Sequence, residues 1–501
     1  MENRAQPQSG KATDRILLKN GIVLSMDPGV GDFMDADVLI EGKHIKAVGQ
    51  NIDAADAQVV DCTGLILMPG FVNTHHHQFY AAQRSIISDS SVWAPWPQED
   101  YMAVQEIMTF GRILDRNYQP VWDLGRSPYD PEDCYVSELI TSYNQINQGV
   151  TTGIDTSQCQ HSPDYTEAMI AGLKESGRRT LFAFSYGRGD HPDYEFPGTA
   201  ENPARGLARL RKEHFASDDQ LLTLGLNTDH FLFFGFNPGD VAFARSLGVP
   251  LIQHGGPTEA AIEAGLLGPD MEFIHVTNQS PEAWKQIADK GCHVSLSVPI
   301  EMQMGHGTPP IQEALDHGIL PSLSSDVETN MAADMFTQMR GAFTLQRMQI
   351  HARTMQGEQN LPPLLTCSQV LEMATRAGAA CAHVDNKAGS LTPGKEADII
   401  MLDTRMLNTA GFHNVPGLVV TLMDTTNVRN VMIAGKVRKW NGEMVGIDIP
   451  GLVQRVEQSR ERILARMKEK PIPVDGLNTA PGFTPKPFGS CCVSQGYQVR
   501  Y

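Results

Sequence analysis

At 501 residues the chain is too long for one small core, and a large barrel with a smaller attached unit is the natural partition. Hydrophobic residues at 41% against 20% charged leave enough apolar side chains to offset the entropy of ordering, which excludes wholesale disorder. With 40 Lys and Arg against 58 Asp and Glu, the net charge of -18 repels phosphate backbones and anionic membranes, so a small molecule is the expected partner.

Residues 1–14 are polar and hold no apolar leader-like run, and no uninterrupted apolar stretch reaches the roughly 18 residues of a membrane span. Neither secretion nor membrane insertion is expected. From 16 to 60, short β-type runs alternate with turn pairs such as Asn20-Gly21 and Glu41-Gly42, which predicts a small antiparallel sheet.

After Met68, apolar runs alternate with stretches long enough for helices, as in parallel strands joined by crossovers. Eight such runs follow: LMPGFVNTHHH, VTTGIDTS, RTLFAFSYG, LLTLGLNTDH, VPLIQHGG, MEFIHVTN, HVSLSV and ILPSLSSDVE. Helix-compatible patterns fill intervals such as 162–178 and 280–290, so the fold class predicted is α/β, a (β/α)8 TIM-like barrel. Between the first two strands lies a long insert, 79 to about 149, containing SVWAPWPQEDY. It is expected either to wall a substrate pocket or simply to pack its two tryptophans.

Beyond the barrel, AGSLTPGKEADIIMLD and NVRNVMIAGKVRKWNGEMV match the N-terminal segment in style, down to an Asn441-Gly442 turn. Each piece alone offers few strands and an uncovered apolar face, so the two are expected to pair into one small discontinuous β-sandwich domain. The predicted division is 1–68 and 386–448 for the sandwich, 69–385 for the barrel, and 449–501 for a C-terminal helix and tail. LVQRVEQSRERILARM spaces its apolar residues as a docked helix does. The eight cysteines are scattered without a CxxC pair and read as reduced thiols of a cytoplasmic protein, and no role is assigned to Cys491 and Cys492.

Polar residues fall at the C-terminal ends of the predicted strands: His75, His76, His77, Asp155, His230, His254, His275 and Asp326. A barrel gathers those ends around one mouth. Alternate side chains of a strand share a face, so His75 and His77 project together while His76 points away. Two converging imidazoles suit a divalent transition metal such as zinc, although three consecutive histidines also suit an exposed polar turn. His254, His275 and Asp326 each follow an apolar run and are candidates to complete the set. Any one of them alone reads as a satisfied core residue; their shared placement favours a metal site.

The combination of PGFVNTHHH, GVTTGIDTS, a single His on strands five and six, Asp on strand eight, and GSLTPGKEADIIMLD with VRNVMIAGKV resembles the amidohydrolase superfamily. Within it, the cytosine-deaminase and chlorohydrolase-like branch of metal-dependent hydrolases is most similar, over roughly 16–445. The resemblance implies that His75, His77, His254 and Asp326 hold one divalent ion, zinc first with iron or manganese as alternatives. It implies catalytic roles for Asp326, which takes a proton from the metal-activated water, and for His275, which polarises the bond under attack. LLTLGLNTDH offers no Lys for a carbamate bridge, which argues against a two-metal site. His230, Arg84 and Glu301 are the candidate substrate-binding residues.

One departure stands out. In deaminating members the strand-five His is followed three residues later by Glu, whereas His254-Gly255-Gly256-Pro257 has no acid there. Glu259, Glu301 and Glu328 are candidates for a displaced acid. The expected function is therefore hydrolysis of a non-peptide C–N bond, in an amide, lactam or amino-substituted ring, by a homo-oligomer. The alternatives are a heterocyclic aminohydrolase releasing ammonia, and a non-catalytic scaffold of the same fold.

Overall fold

The computed structural model describes residues 4–11, 13–85, 112–114, 120–122, 129–160, 162–185, 205–229, 231 and 236–469. Eight strands make one parallel sheet in chain order: Phe71–His76, Val150–Ser157, Arg179–Ser185, Leu222–Asn227, Leu251–His254, Met271–Ile274, His293–Leu296 and Ser322–Leu323. They are barrel strands one to eight. Strand two is buried along its whole length, as a parallel strand covered on both faces must be.

The sheet closes at the C-terminal ends of its first and last strands. Asp326 N–H donates to the His75 carbonyl at 3.0 Å, and His77 N–H donates to the Asp326 carbonyl at 2.9 Å. The expected helices stand at Pro163–Ser176 and Pro281–Asp289. Each starts with Pro in its first turn, where the missing N–H is not needed; Ser280 caps the second by accepting from the Ala283 N–H at 3.1 Å.

A second, mixed sheet of nine strands lies beside the barrel. Its N-terminal and C-terminal contributions meet where Leu65–Pro69 pairs antiparallel with Ile399–Asp403. Ile16, Leu18, Val38, Ile40, Leu65 and Leu67 share one core cluster with Ile399, Met401, Met432 and Trp440. The two distant segments thus bury one another's apolar faces.

LMPGFVNTHHH, expected as one strand, is two. Leu65–Pro69 belongs to the mixed sheet and Phe71–His76 to the barrel, with Gly70 between them. A Cβ at Gly70 would lie 2.1 Å from Thr151 Oγ1, so only glycine lets the chain cross there. Arg179, at the start of strand three, ties the two bodies together: fully buried, it donates to Asp398 at 2.9 and 3.1 Å and to Glu396 at 2.6 Å.

The C-terminal helix Ile449–Glu469 docks on Pro131–Asn147, where the buried Asp133 accepts from Ser459, Arg462 and Arg466 at 2.8, 2.6 and 2.6 Å. The insert tryptophans Trp93 and Trp96, together with Cys491 and Cys492, lie outside the described residues. Among the described residues no helix is long and apolar enough to cross a membrane.

Candidate metal centre

Three imidazoles and a carboxylate meet at the C-terminal mouth of the barrel. His75 Nε2 is 3.2 Å and His77 Nε2 3.5 Å from Asp326 Oδ1. The His254 ring lies 4.7 Å from that of His75 and stacks at 5.3 Å on that of His77. Potential donor atoms of His75, His77 and His254 all fall within 4.8 Å of one another, as do those of His75, His275 and Asp326. His76, on the same strand, turns away and places its Nδ1 3.0 Å from Ser325 Oγ.

Each ring is held from behind. His77 Nδ1–H donates to the Thr156 carbonyl at 3.0 Å and His254 Nδ1–H to Asp229 Oδ2 at 2.8 Å, leaving both Nε2 lone pairs free to face the centre. His75 Nδ1 is 2.7 Å from Thr156 Oγ1, which turns its Nε2 inward as well. Such outer partners fix the tautomer and orientation of metal-binding histidines.

Burial, by disfavouring the imidazolium, pulls His75 down to about 3 and His77 well below its ordinary range. At His254 burial acts the same way, but the Asp229 carboxylate outweighs it and the net direction is up. Burial would raise Asp326, yet the His75 hydrogen bond and the surrounding rings hold it well below the usual carboxylate range. The centre therefore offers the neutral imidazoles of His75 and His77 beside an ionised carboxylate, with His254 oriented by Asp229, a donor set that a zinc-like divalent ion takes.

Backbone strain concentrates here. Asp326 has φ +57°, and His275 and Val276 have φ +69° and +52°. Val276 N–H donates to the Ile274 carbonyl at 2.9 Å, so His275 is the centre of a γ-turn with positive φ. Each such conformation costs about 1–3 kcal/mol and persists only where the surroundings enforce it. The turn swings His275 out of strand six, with Nε2 3.6 Å from Asp326 Oδ2.

The remaining candidates are placed differently. Glu301 is fully buried behind His275, with its Oε1 in hydrogen-bond contact with that ring's Nδ1 at 2.9 Å, so it supports the ring instead of lining the mouth as a substrate contact. Arg84 is paired with Glu328 at 2.8 Å. His230 lies outside the described residues. Sequence reasoning passed over Thr156, Asp229 and His306, whose ring packs edge-on 4.7 Å from His275. Asp229 stood in plain view beside His230 at the end of LLTLGLNTDH; nothing local singled out Thr156 or His306.

Comparison with known proteins gives a consistent result. The model of the amidohydrolase family (Amidohydro_1) matches residues 236–438. A 5'-deoxyadenosine deaminase of Methanosarcina mazei is 23% identical over 476 residues, covering 90% of this chain and 99% of the relative. A zinc-bound adenosine deaminase structure from Xanthomonas campestris has a TM-score of 0.70 at 20% identity, covering 92% of this chain and 100% of that one. For an atrazine chlorohydrolase from Arthrobacter aurescens TC1, complexed with zinc, the TM-score is 0.73 at 20% identity, with coverages of 89% and 100%.

Proposed function

We propose that this chain is an amidohydrolase-type, metal-dependent hydrolase that breaks a non-peptide C–N bond of a small molecule, releasing ammonia from an amino-substituted heterocycle. The observation that carries the metal chemistry is the convergence of His75, His77, His254 and Asp326, with their outer partners turning the ring nitrogens inward. The heterocyclic amine is supported by the deaminases that align along nearly the whole chain.

Bound among these four side chains, one divalent ion, zinc in this reading, would bring the pKa of a water it holds towards about 7. Asp326, kept ionised by its ring neighbours, accepts the proton of the attacking water. His275 stands on the other side of the Asp326 carboxylate, where it hydrogen-bonds the oxygen or nitrogen on which charge develops. Arg84 and His230 remain the proposed substrate contacts, Arg84 steadied by Glu328, which also accepts from Asn144 at 3.0 Å. A cytoplasmic homo-oligomer is part of the same proposal. The empty position three residues after His254 favours keeping amide and lactam hydrolysis as a second reading.

The test measures bound metal by elemental analysis and ammonia release from a panel of aminopurine nucleosides, aminopyrimidines and aminotriazines. About one ion per chain is expected, with turnover of at least one panel member, and loss of both ion and activity in His75→Ala and Asp326→Asn. A metal-free preparation retaining full activity would refute the mechanism; silence on the panel with turnover of an amide or lactam would favour the second reading.

A further inference from the structure

Strand seven leads directly into the short helix Val298–Met304, which carries Glu301 in its first turn. Glu301 Oε1 lies 2.9 Å from His275 Nδ1 and accepts from the Ser297 N–H at 2.8 Å, while Oε2 is buried with no hydrogen-bond partner. Gly305, at φ +74°, ends the helix and brings His306 back against the His275 ring, its Nδ1 also buried without a partner. A buried carboxylate oxygen lacking a donor is unfavourable, and the neutral acid relieves most of that penalty. Accordingly burial pushes Glu301 up to about 8, against the pull of the Ser297 N–H.

Of the three acids that the sequence offers in place of the absent one, Glu259 is exposed on a surface helix and Glu328 is engaged by Arg84 and Asn144. Among the described residues, Glu301 alone of the three is hydrogen-bonded to an imidazole of the centre. That imidazole has a carboxyl group at each nitrogen, Glu301 at Nδ1 and Asp326 at Nε2.

We propose that Glu301 and His275 form a two-carrier proton relay, supplying the leaving nitrogen with the proton that no acid three residues after His254 can give. The proposal rests on the reading of C–N hydrolysis above. As the new C–O bond forms, one proton of the attacking water passes to Asp326 and the other stays on the product oxygen. On collapse, His275 Nε2–H protonates the leaving nitrogen while Nδ1 takes the Glu301 carboxyl proton. The C–N bond breaks with its electron pair going to nitrogen, which departs as ammonia. Asp326 then returns the water proton to Nε2, and Nδ1–H returns its own to Glu301, so neither carrier gains nor loses a proton over the cycle. The titratable groups facing the pair are Asp326, the His75 and His306 rings, and His254 with its partner Asp229.

Glu301 acts through His275 and is a positioning and relay residue. Glu301→Gln separates the two roles, because the amide oxygen still accepts from Nδ1–H and holds the ring but cannot carry a proton. With zinc-loaded enzyme, ammonia release from 5'-deoxyadenosine is expected to fall about 100-fold or more, and chloride release from the 6-chloro counterpart far less, since chloride leaves unprotonated. Zinc content should not change, the pH profile should lose a limb, and Glu301→Asp should recover part of the loss. Nitrogen-15 spectra of histidine-labelled enzyme should show His275 exchanging between tautomers in the native chain and fixed as Nδ1–H in Glu301→Gln. Glu259→Gln serves as the unaffected control. Equal losses for both leaving groups, or one unchanged His275 tautomer in both proteins, overturns the relay. A native enzyme inert towards both compounds refutes the substrate reading, and the nitrogen-15 comparison then decides the relay by itself.

Discussion

Asp155 is a fully buried carboxyl group one residue before Thr156, the residue that holds His75 and His77. Burial pushes it up to about 7, against the opposing pull of the Gln78 N–H and the Arg178 guanidinium. A carboxyl raised in the folded state takes up a proton on folding, so the stability it allows is full below about pH 4 and is lost as pH rises through 7. Asp155→Asn should therefore gain on the native chain by about 1 kcal/mol or more between pH 5 and pH 8.5, read from urea midpoints. A constant difference across that range would contradict the assignment. At this scale the sequence exposed the alternation of His75 and His77, because strand geometry fixes it. It was silent on Glu301 behind His275, on Asp229 behind His254 and on the left-handed φ of Asp326, since each depends on a neighbouring strand or a turn that no local pattern encodes.

Among the elements, barrel strand one is the most constrained. Its sequence reads as one apolar run with the preceding strand because both halves are buried, and hydrophobic periodicity cannot tell which of two sheets a buried residue joins. The division falls at Gly70, five residues before His75, so crowding there is transmitted into the centre. Gly70→Ala should cost about 1–3 kcal/mol through the clash with Thr151, measured by denaturant unfolding, and should weaken zinc retention in the surviving folded protein. Full stability in that variant would show that the crossing tolerates a side chain. The helices at 163–176 and 281–289 were legible for a plainer reason: Ser-Pro starts and polar outer faces are local signals.

For the whole molecule, eight strand-helix repeats were enough to specify a barrel, and two orphan β segments enough to require a joint sheet. What the sequence could not reveal was the bond between the bodies, because Arg179 and Asp398 are separated by 219 positions. Arg179→Ala leaves the buried Asp398 without its cation and Glu396 with Lys43 alone, and should cost about 3–5 kcal/mol in chemical denaturation. A loss under about 1 kcal/mol would mean that the seam is held by apolar packing alone.

The barrel is sealed through the main chain of His75, His77 and Asp326, whose side chains also converge on the candidate ion. A cation held there is a rivet across the last joint of the cylinder, linking its first stave to its eighth. Chelation should then do more than silence chemistry: it should speed deuterium uptake at the amides of His77 and Asp326, and the melting temperature should climb with free zinc, as mass action on the folded form requires.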